Sequence, residues 1–362
     1  MDSPIGREPG STARTRAPHH RRRVSIADIA KASMVSSAVV SYVINDGPRP
    51  VHPETRARVL KVMRELGYRP SAVVSGSSAG RRDTIGIAFP KPDPNVVVLP
   101  FYSSIQLGIV AEALRRGQNT LIYSGCFDTD VHKNLRIYAD GRCDGLILIA
   151  PPFNSKLVPA LKERGIPFVQ LLDSHEEPDA PTVDVDDEQG AYDMTRYLIG
   201  LGHRRIAYFA GDENLAATPL RLNGYRQALR DSGLGESAAM IWQGLYNPKS
   251  GYDLARRAMA IEPESRPTAL FCSNDDSAIG ALDALREHGV RVPEDITVVG
   301  ADDIPEAAHT DPPLTTVHQP LKEWGGRAVG MLMDIIRGVE SERRVRLPLS
   351  IVIRGSSAPP RS

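Results

Sequence analysis

Between Val24 and Pro70 the chain carries two short apolar-periodic segments, Ile26 to Ser33 and Ser36 to Ile44, separated by only two residues. Helices so short and so closely joined must turn sharply against each other, and the spacing predicts a helix-turn-helix unit. Ile26, Ile29 and Ala30 form the apolar stripe of the first helix; Val39, Val40 and Val43 repeat it on the second. Ser36 stands where its hydroxyl can cap the second helix, and amides at a helix start attract phosphate oxygens. A third helix is expected from Pro53 to Leu66, with Val59, Leu60, Met63 and Leu66 inside and Thr55, Arg56, Arg58, Lys61 and Arg64 outside. Three helices of this size share one core.

The charge is divided the same way. The chain is neutral overall, yet up to Arg82 it holds 15 Lys and Arg against 6 Asp and Glu, and beyond Arg82 it holds 29 against 38. A basic head suits a polyanion, because each phosphate it neutralises releases counterions.

From Val24 to Arg354 the chain resembles the LacI/GalR family of bacterial transcription regulators. The family's second helix begins V-S-x-x-T-V-S-R-V-L-N, against which Val35, Ser36, Val40, Ser41, Val43, Ile44 and Asn45 match or nearly match. Met34 stands where the family has a turn glycine, Val39 where it has threonine, and Tyr42 where arginine is common. A left-handed Met34 costs about 1–2 kcal/mol relative to glycine. The resemblance implies that Ser37, Ala38 and Tyr42 face base edges and that Ser25, Ser36, Ser41 and Asn45 meet phosphates. Ala38 can contact only a thymine methyl and Ser37 bonds to almost anything, so the direct code is weak; a phenol at Tyr42 replaces the bidentate fork of arginine and predicts an unusual operator.

Residues 71–83 match the family's hinge, which forms a short helix on DNA and inserts a leucine into the minor groove. Val73, Val74 and Ser77 are its counterparts here, and Ser77 takes the leucine's place behind Gly76. Serine is no apolar wedge, and glycine weakens a helix by about 1 kcal/mol relative to alanine, so weaker operator bending is expected. Gly76-Ser77-Ser78-Ala79-Gly80 also satisfies G-x-S-x-G, but a hydrolase elbow needs a strand before it and a helix after. Here a basic turn and the strand Thr84 to Phe89 follow instead.

Beyond Thr84 short β runs alternate with helical stretches. Strands are expected at Thr84 to Phe89, Thr120 to Tyr123, Gly145 to Ile149, Phe168 to Leu172, Ile206 to Ala210, Ala269 to Cys272 and Thr297 to Gly300; helices include Ser103 to Arg116, Glu188 to Leu201 and Asp276 to His288. Apolar runs each followed by a helix mean parallel sheets covered on both faces. The fold class is therefore an all-α helix-turn-helix head on a two-lobed α/β body of doubly wound parallel sheets. The resemblance makes that body periplasmic-binding-protein-like, with lobe crossings near Val185, Thr316 to His318 and Leu347 to Leu349. The domains are a disordered basic tail (1–23), the head (24–70), the hinge (71–83), an effector-binding and dimerisation body (84–354) and a short tail (355–362).

Ligands of open α/β sheets bind beyond the carboxyl ends of the strands. Asp173, Asn274, Asp275 and Asp302 follow strands, and Arg221 opens a helix, the unfavourable end of the dipole for a cation. Carboxylates, an amide and a guanidinium suit a polyhydroxylated ligand, a sugar or nucleoside-like molecule. Phe101 and Tyr102 match an aromatic position that stacks on the ligand in relatives. Asp184, Asp186 and Asp187 lack the spacing of a cation loop and are expected to be solvated; His203 is expected to be structural. Cys126, Cys143 and Cys272 form no paired motif. No cofactor, metal site or catalytic constellation is expected, nor a secretory signal or membrane span. Together with the resemblance, these residues imply a cytoplasmic repressor, expected to bind double-stranded operator DNA as a homodimer under the control of a small molecule. A cleft-type ligand-binding protein that has lost operator recognition is the alternative, motivated by Met34, Tyr42 and Ser77.

Overall fold

The computed structural model describes residues 24–45, 50–66, 68, 81–89, 99–123, 130–138, 140–151, 156–172, 179–235 and 239–361. Val73, Val74, Ser77, Asp173 and Cys126 lie outside the described residues, as does the G-x-S-x-G segment. The chain divides into two compact units, Met1–Gly80 and Arg81–Ser362.

In the head, α1 (Ile26–Ser33) opens with a capping box: Ser25 Oγ accepts from the Asp28 N–H, and the Asp28 carboxylate accepts from the Ser25 N–H at 2.8 Å. It ends at Met34, which is left-handed (φ 54°, ψ 45°) and 82% exposed, so its side chain packs on nothing that would offset the strain. The chain turns there through 106° into α2 (Ser37–Asn45), within the range of helix-turn-helix pairs. Ser36 accepts from the Val39 N–H at 3.4 Å, and Ser37 and Ala38 are exposed. The third helix is α3 (Pro53–Glu65), and Arg58 Nε donates to the Ser33 carbonyl at 3.0 Å, closing the end of α1. Ile29, Ala30, Val40, Val43, Val59 and Met63 form the core. Leu60 and Leu66, expected inside, are about two-fifths exposed; the buried stripe runs Val59, Val62, Met63, and Leu60 lies one helical step off it.

The body runs β1 (Thr84–Ala88), α4 (Pro100–Arg115), β2 (Asn119–Tyr123), α5 (Val131–Tyr138), β3 (Gly145–Ile149), α6 (Leu157–Glu163), β4 (Phe168–Leu171), β5 (Thr182–Val185) and α7 (Asp187–Gly200). It continues through β6 (Ile206–Ala210), α8 (Ala217–Asp231), β7 (Ala239–Gln243), α9 (Pro248–Met259), β8 (Ala269–Cys272), α10 (Asp275–Glu287), β9 (Thr297–Asp302), β10 (Thr315–His318), α11 (Leu321–Arg337), β11 (Arg344–Leu347) and β12 (Ser350–Val352). These make two six-stranded sheets, ordered β11-β5-β4-β3-β1-β2 and β12-β10-β9-β8-β6-β7. Among the described residues every strand pair is parallel except β10 with β12. The chain passes between sheets after Val185, after His318 and after Leu347.

β3, β4, β6 and β8 are buried along their whole length, as strands covered on both faces must be. One close approach matters for the site. A Cβ on Gly224 of α8 would lie 2.0 Å from the Glu188 carbonyl of α7, so only glycine lets these helices meet there. His203 is buried between Thr268 Oγ1 and the Ala358 carbonyl, each at 2.9 Å from a ring nitrogen. No single helix among the described residues is long and apolar enough to cross a membrane.

Candidate functional site

The carboxyl ends of the two sheets face a common cavity. Three residues of its lining have left-handed backbone: Ala150 (φ 46°) after β3, Leu172 (φ 57°) after β4 and Asp302 (φ 127°) at the end of β9. Open α/β sheets bind ligands beyond such strand ends, and backbone strain is common where they do.

Arg221, one turn into α8, is the centre of the polar wall and is only 5% exposed. Its Nε donates to Asp187 Oδ1 at 2.7 Å, its Nη1 to the Ser273 carbonyl, and its Nη2 lies 3.6 Å from Asp302 Oδ1. The Gly224 contact brings α8 against α7 one turn beyond, which is why Asp187, 34 residues away, meets Arg221. Asp302 also accepts from Gln319 Nε2 at 2.7 Å, tying the cleft to the crossing between β10 and α11. Burial opposes the Arg221 charge, but Asp187, Tyr246 and Asp302 outweigh it and hold the guanidinium protonated beyond its usual range. Burial pushes the Asp302 carboxyl well up, against the pull of Arg221 and with the charges of Asp275 and Asp276 adding to it. Tyr246 lies under the guanidinium, 5.9 Å from ring centre to Arg221, and burial pushes its phenol up to about 12.

Among the described residues the opposite wall is apolar. Phe101 and Tyr102 in the first turn of α4 pack edge to face, 5.2 Å between ring centroids, and Phe101 leans on Trp324 at 6.3 Å. Leu99, Ala150, Pro151 and Leu172 also line it.

Of the residues the sequence singles out, Phe101, Tyr102, Arg221, Asn274 and Asp302 line this cavity. Asn274 also caps α10, its Oδ1 accepting from the Ser277 N–H at 3.0 Å. Asp275 does not line it. Its side chain is fully buried beneath β9 and β10, accepting from the Ile304 N–H at 3.0 Å and the Thr316 hydroxyl at 2.5 Å. Helical rotation is the reason: Asp275 opens α10 towards the sheet, and the next residue, Asp276, turns to the cleft. Asp187 is a second correction, since it is 4% exposed and paired with Arg221, where solvation was expected. Asp276 and Tyr246 are cleft residues the sequence left unassigned. Tyr246 follows β7, whose apolar run Ala239–Trp242 is not among the expected strands, and the strand-end rule applied to that run would have found it. Among the described residues no group of His, Cys, Asp and Glu could hold a metal ion.

Two family models match: bacterial regulatory proteins of the lacI family over residues 25–71 and a periplasmic binding protein-like domain over 195–357. The HTH-type transcriptional repressor PurR of Aliivibrio fischeri (strain MJ11) is 34% identical over 338 residues, covering 92% of this chain and 98% of that one. The chain belongs to the LacI/GalR family. PurR of Haemophilus influenzae (strain PittEE) is 32% identical over 340 residues. Among solved structures, the lac repressor dimer bound to operator and the anti-inducer ONPF aligns with a TM-score of 0.75 at 27% identity, over 93% of this chain and all of that one. The CelR–cellobiose complex gives 0.69 at 31%, over 92% and 100%. This member of the family is an effector-controlled DNA-binding transcriptional regulator, not an enzyme.

Proposed function

We propose that the chain is a repressor that binds a pseudo-palindromic operator as a homodimer and is switched by a sugar held between the two walls of the cleft. The observation that carries this is the buried Arg221–Asp187–Asp302 network facing a wall of Phe101 and Tyr102. Hydroxyls on adjacent carbons meet the polar wall, and the apolar face of a pyranose or furanose lies on the rings. Complexes of relatives support a sugar: CelR with cellobiose, and the Enterococcus faecium regulator with ribose, which aligns with a TM-score of 0.68 at 26% identity over 76% of this chain and 99% of that one.

In this reading Ser37, Ala38 and Tyr42 read bases, while Ser25, Ser36, Ser41 and Asn45 position the head on phosphates. Ser25 does so with its hydroxyl already committed to the capping box. Val73, Val74 and Ser77 form the hinge. A second copy would cover the apolar stripe of Leu107, Val110 and Leu114 on α4, which is 37–76% exposed, with Ile122 on the edge strand beside it. Two heads tethered in this way make the second DNA contact intramolecular.

Fluorescence anisotropy on duplexes from the chain's own upstream region, with and without a panel of sugars, tests the proposal. One duplex should bind much more tightly than random DNA and shift with one sugar class. Equal, purely salt-dependent binding to every duplex would favour a ligand-binding protein that has lost operator recognition. Leu114→Lys should lower the dimer's mass in sedimentation; an unchanged dimer would place the subunit contact elsewhere.

A further inference from the structure

One carboxylate of the cleft has no partner among the described residues. Asp276, the second residue of α10, is partly buried and lines the cavity, and no hydrogen bond or ion pair joins it to a described residue. First-turn acids are ordinarily favoured by the helix dipole. Here burial, with the Glu306 charge adding to it, pushes Asp276 up to about 6, so the dipole does not make good the water it has lost. Among the described residues that line the cavity, the guanidinium is that of Arg221, already committed to Asp187, the Ser273 carbonyl and Asp302. The polar wall therefore has acceptors to spare and no uncommitted cation among the described residues. An anion entering it would meet the carboxyls of Asp276 and Asp302 and lose its hydration without a counter-ion.

We propose that Asp276 sets the charge class of the effector: it accepts from ligand O–H or N–H groups and closes the cleft to phosphorylated and carboxylated ligands. This rests on the cleft being the effector site and names what that site admits. Neutral sugars and amino sugars share the required chemistry, and the ammonium of an amino sugar would additionally neutralise Asp276.

Three matched sets tested on the full-length protein by thermal shift and calorimetry decide it. The sets are glucose, ribose and cellobiose; glucosamine and galactosamine; and glucose 6-phosphate, ribose 5-phosphate and glucuronate. Binders should come from the first two, each anionic derivative binding at least about tenfold more weakly than its neutral parent, as expected for unpaired like charges at a desolvated site. Asp276→Asn keeps the size of the side chain and should shrink that ratio, weakening any amino sugar and improving the anionic derivative. An anionic derivative that binds as tightly as its parent, or a ratio that Asp276→Asn leaves unchanged, overturns the assignment. Ala216→Trp, placed on the cleft lining to fill it, separates the two levels. If it abolishes binding while Asp276→Asn changes nothing, only the role of Asp276 falls. If binding survives Ala216→Trp, or if no member of any set binds, the cleft reading falls as well.

Discussion

The two walls of the cleft are built from similar lobes and have different chemistry. Among the described residues, the lobe of α8, α10 and β9 supplies Arg221, Asn274, Asp276, Asp302 and Tyr246, while the lobe of α4, β3 and β4 supplies Phe101, Tyr102 and aliphatic residues. One wall is a buried ion network joined to the crossing segment through Gln319; the other is a set of rings resting on Trp324. The difference teaches that damage to the two walls should register in different measurements. A polar wall of interlocked charges is part of the fold's stability, whereas an apolar wall left partly open contributes its surface chiefly when a ligand covers it.

Arg221→Ala makes the largest break in that comparison. It leaves Asp187 and Asp302, 4% and 3% exposed, without their cation. Removing one partner of a buried pair costs about 3–5 kcal/mol, so the urea midpoint of the body should fall strongly and ligand binding should vanish. Arg221→Lys should recover little, because one ammonium cannot reach Asp187, the Ser273 carbonyl and Asp302 together. An unchanged midpoint for Arg221→Ala would mean that the network does not support the wall.

How far this asymmetry could be read from the sequence depends on the range of each interaction. Arg221 was legible because a cation in the first turns of a helix is locally unfavourable and asks for a partner. The partner was not, since Asp187 lies 34 residues earlier on another helix and only the closeness allowed by Gly224 brings them together. Strands with uninterrupted apolar runs, Gly145–Ile149, Ile206–Ala210 and Ala269–Cys272, have the expected ends. Thr182–Val185 and Arg344–Leu347 were missed as strands because Asp184, Arg344 and Arg346 break the run, in one case on a sheet edge. Asp275 and Asp276 were confused for a geometric reason: after a strand, the start of α10 rotates successive residues apart, and a sequence does not show where that rotation begins.

The pH dependence of stability sharpens the comparison at intermediate scale. Burial raises Asp275 from 3.8 to about 7, against hydrogen bonds from Thr316 and Ile304, and raises Asp276 to about 6, both on the polar lobe. The folded state therefore keeps protons that the unfolded chain releases near pH 4. Stability from these groups is present below that point and is lost as pH rises towards about 7. The exposed carboxylates Glu112 and Asp295, held low chiefly by hydrogen bonds from Arg115 and Arg291, act in the opposite sense and only below the ordinary carboxylate range. Urea midpoints of the ligand-free protein should decline between about pH 4 and pH 7, and Asp275→Asn should flatten the decline. A wild-type profile that rises across this interval would contradict the burial of these groups.

On the apolar wall, Phe101→Ala should weaken ligand binding more than it destabilises the protein. The ring is only partly buried, but it holds Tyr102 and Trp324 in edge contact, pairs worth about 0.5–1.5 kcal/mol each. Calorimetry set beside a urea melt separates the two effects, and a loss of stability matching that of Arg221→Ala would erase the distinction between the walls.

The smallest change is Tyr102→Phe. The Tyr102 hydroxyl has no hydrogen-bond partner among the described residues, and its phenol is raised by burial and then by the charges of Asp302, Tyr246 and Asp212, which places it within electrical reach of the opposite wall. With no bond to break, its removal should leave stability within about 0.5 kcal/mol of wild type. If the cleft closes on a hydroxylated ligand, the same hydroxyl gains a partner only in the closed state, and its loss should weaken binding by about 1 kcal/mol, several-fold in Kd. An unchanged Kd would mean that Tyr102 contributes its ring alone and that every polar contact to the ligand comes from the lobe of Arg221, the strictest form of the asymmetry between the walls.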